Sequence, residues 1–145
     1  TRLLASGLTL TQVTRHLCAR LGVAVNLLPM SDTPVRTVID SADGPLAFQD
    51  YFVRRRAEPV VKGIRYEGAT KAPPIAALAS LLTDPDLAGV FIAPSNPWLS
   101  IDPILAIPSL AAALRSTTAP VIAISPIVGG RALKGPTAKI MGELG

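Results

Sequence analysis

The sequence predicts an α/β fold with a mainly parallel sheet, and three observations carry that expectation. Two continuous apolar runs, Gly89 to Ala93 and Pro120 to Ser125, read as buried strands. Helical patterns lie between them and after the second. Each run closes on a proline-bearing loop, at Pro94 and at Pro126. Strand, helix, strand, helix is the order of a βαβ unit, whose right-handed crossover makes the strands parallel and lays both loops on one rim. In open parallel sheets that rim is where ligands sit, and helix amino termini there favour an anion.

The remaining elements follow in chain order. Thr9 with Gln12 fits a capping box, Val13, Leu17 and Leu21 repeat at helical spacing, and Gly22 supplies a stop, so a helix is predicted over Leu10 to Leu21. Val23 to Leu28 reads as a short strand ending in the turn-forming loop Pro29 to Pro34. Val35 to Asp40 alternates as a strand. Asp43, Gly44 and Pro45 make a turn, and Phe48, Tyr51 and Phe52 are spaced for one face of a helix ending near Arg56. Paired prolines at Pro73 and Pro74 precede a helix over Ala76 to Thr83. After the loop Pro94 to Pro97, Ser100 is placed to cap a helix starting near Asp102 and Pro103, and a second helical stretch covers Ser109 to Leu114. Val128 to Pro136 is a glycine-bearing loop and Thr137 to Leu144 a helix.

Length and charge bound the function. The 145 residues make one domain, 1–145, and 49% of them are apolar, which excludes disorder because enough burial is available to offset ordering entropy. Fourteen Lys and Arg against ten Asp and Glu leave a charge of +4, with a pI near 9.7. Yet the basic residues are dispersed and few aromatics interleave them, so no nucleic-acid partner is expected. The apolar stretch Ile101 to Leu114 is interrupted by Asp102, Pro103, Pro108 and Ser109, short of the roughly 18 residues of a spanning helix, so a soluble protein with no membrane partner is expected. A lone Cys18 and the lack of a secretion signal point to the cytoplasm. With a single His16, neither a histidine metal cluster nor a Ser-His-Asp hydrolase can be assembled. A chain beginning with Thr and stopping just after a predicted helix is expected to be a fragment, its sheet incomplete at both ends.

Three loops and one basic run could carry chemistry. In Ser125 to Pro136, Gly129 and Gly130 let backbone approach a ligand, Lys134 adds a mobile positive charge, and the helix start after Gly135 and Pro136 adds its dipole; phosphate suits all three, although a glycine turn serving packing is the alternative. No Walker loop is present. Ser95 and Asn96, stiffened between prolines, fit a ribose or base edge, or an Asx turn. Asp32, between Ser31 and Thr33, could orient a hydroxyl, bind a metal or cap a turn. The run Arg54, Arg55, Arg56 is a solvated helix end or a clamp for a phosphorylated small molecule.

Four strings in order, Asn26 to Thr37 (NLLPMSDTPVRT), Phe48 to Arg56 (FQDYFVRRR), Pro94 to Leu105 (PSNPWLSIDPIL) and Ser125 to Pro136 (SPIVGGRALKGP), closely resemble the 2-phospho-L-lactate transferase family over essentially the whole chain. The resemblance implies a Rossmann-like three-layer fold. It also implies an enzyme of coenzyme F-420 biosynthesis that uses magnesium. That enzyme transfers a 2-phospholactyl or phosphoenolpyruvyl group from a GDP-activated donor to the deazaflavin 7,8-didemethyl-8-hydroxy-5-deazariboflavin, releasing GMP. Carried over, Ser95, Asn96 and Ser100 would lie against the nucleotide, while Gly129, Gly130, Lys134 and Gly135 would hold its diphosphate. Met30, Ser31, Asp32 and Thr33 would face the acceptor, with Asp32 and Lys134 as the catalytic candidates. Family members open with acidic residues that help bind magnesium and continue beyond the equivalent of Gly145. The metal ligands are therefore not assigned to any residue here, and the isolated chain is expected to be inactive. A homodimer is implied for the full-length protein. The alternative is a nucleotide-sugar-binding regulator of the gluconeogenesis-factor-like branch; a nicotinamide dehydrogenase domain is disfavoured because no G-x-G-x-x-G turn occurs.

Overall fold

Thr9 starts the first long helix as its chemistry requires. In the computed structural model, which describes residues 2–132 and 135–145, its hydroxyl accepts the Gln12 N–H while the Gln12 side chain accepts the Thr9 N–H. After a short α1 (Arg2–Ala5), α2 therefore spans Leu10–Leu21 and stops at Gly22 in the left-handed region. The next apolar run, Val23 to Leu28, is not the strand its composition predicts. No strand among the described residues pairs with it, Val25 is 73% exposed, and the segment runs beside Thr11, Arg15 and Cys18 of α2 instead. β propensity without a partner for the backbone leaves coil.

The larger sheet is antiparallel, which corrects the expectation of a mainly parallel one. β1 (Arg36–Ser41) is its central strand, flanked by β2 (Gly44–Ala47) through a tight hairpin and by β3 (Val61–Glu67), in the order β2-β1-β3. Neither β2 nor β3 was expected from the sequence. The ladder between β1 and β3 slips by one residue at Asp40 and Ser41, a bulge that changes the inward phase of β3. Between β2 and β3 the predicted helix is a single π-helical turn, Asp50–Arg54, that buries Tyr51 completely and leaves Phe52 42% exposed.

The parallel element is smaller. A 3₁₀ turn, Ala69–Lys71, leads to α3 (Ala76–Leu82), and β4 (Val90–Ile92) then pairs in parallel with β5 (Val121–Ala123) across α4 (Asp102–Leu105) and α5 (Pro108–Ser116). The βαβ order is thus present. Its strands are not buried, however, since Phe91 is 69% and Ile122 46% exposed. Beyond β5, the expected loop folds on itself as a ribbon of β6 (Ile127–Val128) and β7 (Arg131–Ala132), and α6 (Thr137–Leu144) closes the chain. No single helix among the described residues is long and apolar enough to cross a membrane.

Two apolar clusters hold these elements. Ile39, Leu46, Tyr51, Ala57, Val61 and Ile140 pack the antiparallel sheet against α6, with Trp98 and Leu99 against the cluster's edge. Ala69, Ala72, Leu82, Ile107 and Leu110 form the second, against which Met30, Tyr66 and Val90 pack. The segment from Ser95 to Asp102 lies at the seam, because Trp98 and Leu99 belong to one cluster while α4 leads into the helix of the other.

Candidate functional site

The loop after β4 is rigid for reasons visible in its residues. Asn96 takes an extended backbone, its side-chain oxygen accepts the Leu99 N–H at 2.9 Å, and Pro97 begins the π-helical turn Pro97–Ile101. Asn96, rather than Ser100, is the cap; Ser100 lies inside that turn, with its N–H donated to the Asn96 carbonyl. From the neighbouring sheet, the Tyr66 hydroxyl donates to the Trp98 carbonyl at 2.6 Å and lies 3.4 Å from the Asp102 carboxylate. Burial lifts the Asp102 carboxyl above its usual range, opposed by the Tyr66 hydrogen bond, and burial together with the Asp102 charge lifts the Tyr66 phenol.

One contact joins this loop to the far end of the chain. The Asn96 amide donates to the Thr137 hydroxyl at 3.0 Å, across 41 residues, and Thr137 is 2% exposed. Thr137 is the first residue of α6, so the loop is pinned against a helix amino terminus. Ser95, Asn96 and Ser100 line a cavity of about 220 Å³ with Gly135, Pro136, Thr137, Phe48 and Phe52. Phe52, Gly135 and Pro136 also border a cavity of about 430 Å³ shared with Arg56, Ala57 and Lys139. The two cavities adjoin at Phe52, Gly135 and Pro136 as a groove whose walls, among the described residues, carry hydroxyls, the start of α6 and two cationic residues and no carboxylate. The Lys139 ammonium is committed, donating to the Pro59 carbonyl at 2.8 Å and pairing with Glu143 at 2.6 Å, while Glu143 accepts the Val61 N–H. On the other side of Ser95 and Ser100 lies an apolar cavity of about 460 Å³, reached by Met30, Leu78, Val90 and Ile101.

The sequence-derived candidates divide accordingly. Ser95, Asn96, Ser100 and Gly135 come together in the groove, and Met30 reaches the apolar cavity behind it. Gly129 and Gly130 do not line either space. They form the tight turn between β6 and β7, with φ of 58° and 74°, the pair of left-handed residues that a two-residue hairpin demands. Ser31 is buried, donating to the Pro73 carbonyl at 2.5 Å and accepting the Thr33 N–H. Asp32 accepts the Thr11 N–H at 2.7 Å, capping the first turn of α2, and with Thr33 borders a separate cavity beside Pro73, Pro74 and Ala76. Lys134 lies outside the described residues. Thr137 and Tyr66 were not anticipated; the helix start directly after Gly135 and Pro136 was the available signal for Thr137.

Magnesium finds no evident seat here. Among the described residues no group of three His, Cys, Asp or Glu side chains converges, and the groove offers none of the one or two carboxylates that usually accompany phosphate oxygens around that ion. The described residues do not fit the metal.

The family model described as 2-phospho-L-lactate transferase CofD matches residues 1–145. A 2-phospho-L-lactate transferase of Haloarcula marismortui is 41% identical over all of this chain and 42% of its own length. A phosphoenolpyruvate transferase of Mycolicibacterium smegmatis is 39% identical over 99% of this chain and 45% of its own. The chain thus spans less than half the length of these relatives. Among solved structures, a UPF0052-family protein of Bacillus halodurans shares the fold with a TM-score of 0.61 at 17% identity, over 81% of this chain and 36% of that one. With a family match across its whole length, the chain belongs to the 2-phospho-L-lactate transferase CofD family.

Proposed function

We propose that this chain is the central part of a longer Rossmann-like transferase. That enzyme moves a 2-phospholactyl or phosphoenolpyruvyl group from a GDP-activated donor to 7,8-didemethyl-8-hydroxy-5-deazariboflavin in coenzyme F-420 biosynthesis. The observation that carries this reading is the Asn96 to Thr137 hydrogen bond, which draws two loops distant in sequence into one groove suited to a diphosphate. The acceptor hydroxyl oxygen attacks the phosphorus that bears the lactyl or enolpyruvyl group. A new P–O bond forms as the bond from that phosphorus to the GMP oxygen breaks, GMP departs with the electron pair, and the hydroxyl proton passes to a base.

Negative charge gathers on the transferred group and the leaving GMP, so positioning and electrostatic stabilisation supply the catalysis. Ser95, Ser100, Gly135 and the unpaired N–H groups of the first turn of α6 hold the diphosphate, Lys134 adds its charge, and Asn96 fixes the loop. The hairpin turn at Gly129 and Gly130 flanks the nucleotide. Met30 offers the apolar cavity to the acceptor ring, and the segment Ser31 to Thr33 that follows it carries Asp32, which borders a separate cavity and is the candidate base. Magnesium, implied by the family, would take its carboxylates from outside the groove. The working protein is a cytoplasmic homodimer.

The test is a transfer assay on the longer protein with the deazaflavin, either donor, and a uridine nucleotide sugar as competitor. Deazaflavin-dependent GMP release, reduced at least tenfold in Lys134→Ala, is expected from loss of a charge-assisted contact. Tight uridine nucleotide sugar binding without GMP release would replace the transferase with the regulator.

A further inference from the structure

The three consecutive arginines are put to different uses. Arg54 lies 3.4 Å from Asp50, and Arg55 lies 3.5 Å from Asp43 and 3.9 Å from Asp50. Arg56 makes no ion pair among the described residues. It lines the wider end of the groove with Phe52, Gly135, Pro136 and Lys139.

Its backbone is unusual. Arg56 and Ala57 hold φ of 51° and 56°, two successive residues with a Cβ in a region such residues avoid. The neighbouring core enforces this. Ala57 is 8% exposed, its N–H donates to the Tyr51 carbonyl at 2.8 Å, and its own carbonyl accepts the fully buried Tyr51 hydroxyl at 3.4 Å. Backbone strain of this kind gathers at binding sites and switch regions where the surrounding structure holds it, and here it borders a cavity. Because Lys139 is already bound to Pro59 and Glu143, Arg56 is, among the described residues lining the groove, the cation without a protein partner.

Resting on the transferase reading, we propose that Arg56 binds the carboxylate of the donor's transferred group and so selects phosphorylated 2-oxyacids. Phospholactate and phosphoenolpyruvate differ in saturation but share a carboxylate one carbon from the phosphate oxygen. A planar guanidinium fork matches that carboxylate with two parallel hydrogen bonds, which a lysine cannot reproduce. The diphosphate then occupies the end of the groove beside Asn96 and Thr137, and the carboxylate occupies the end at Arg56.

The experiment compares binding of GDP, which lacks the carboxylate, with binding of the intact lactyl or enolpyruvyl donor to the full-length protein. Wild type is set beside Arg56→Gln, Arg56→Lys and Arg56→Gly. Arg56→Gln is expected to weaken donor binding by about tenfold or more while GDP affinity stays within about twofold, the size of a lost bond between charged groups. Arg56→Lys recovers only part. Arg56→Gly loses donor affinity equally while its thermal midpoint holds or rises, because glycine accepts the left-handed backbone. Unchanged donor affinity in the variants overturns the proposal, as does an equal loss for GDP and donor, which would assign the guanidinium to the diphosphate. A wild-type protein that binds neither ligand overturns the transferase reading, and this proposal with it.

Discussion

Ile39 and Ile122 are the same side chain at the centre of two strands, with opposite surroundings. Ile39 in β1 is fully buried beneath Tyr51 and Ile140, whereas Ile122 in β5 is 46% exposed beside Phe91 at 69%. The difference follows from connectivity. A tight hairpin joins β1 to β2, the chain returns through the π-helical turn to add β3, and one helix, α6, covers the sheet. A parallel pair needs crossovers to cover both faces, and α3 and α5 supply cover around Leu82, Ile107 and Leu110 while the opposite side chains stay in solvent. The groove lies where the two regions meet, held from the antiparallel side by Tyr66 and Thr137 and from the parallel side by the loop after β4.

The largest expected effect separates the regions by stability. Tyr51→Ala should cost about 3–5 kcal/mol, as emptying a fully buried aromatic site does, while Phe91→Ala should cost about 0.5 kcal/mol or less. Denaturant unfolding of both variants checks this, and equal costs would break the contrast. A smaller effect concerns acid. Burial raises the Glu143 carboxyl, but hydrogen bonds from Lys139 and Val61 outweigh it and hold it below 4.5. Its contribution is present above the unfolded value and lost as pH falls through the folded one. Asp102, raised above 3.8 by burial, has the reverse sign, favouring the fold when protonated and losing that contribution as pH rises through its folded value. Between pH 6 and 3, Glu143→Gln should therefore flatten the acid loss of stability relative to wild type, and Asp102→Asn should steepen it. Unfolding measured across that range in which both variants change the wild-type slope in the same direction would show that the two carboxylates do not differ in this way.

What was legible in the sequence was local. The capping box at Thr9, the stop at Gly22 and the helix Thr137–Leu144 needed only neighbouring residues, and the structure holds them with the expected bounds. β3 escaped notice because the bulge opposite Asp40 and Ser41 interrupts an alternation that is clear only from Ile64 to Glu67. Val23 to Leu28 shows the converse, an apolar run whose strand character required a partner that composition cannot supply. At the site, proline spacing marked the loop at Ser95 and Asn96, and the glycine and proline before α6 marked its other wall. Thr137 went unseen because its role is a hydrogen bond across 41 residues. Gly129 and Gly130 form the turn of a two-residue hairpin, which asks for the same left-handed backbone as a phosphate cradle.

The central claim is that the loop around Asn96 and the start of α6 grip one diphosphate. A titration with GDP, followed at the backbone amides of the full-length protein, tests it most directly. The expected result is that the amides of Ser95, Asn96, Gly135 and Thr137 shift together along one binding curve. Shifts confined to one of the two segments, or following two separate curves, would contradict it.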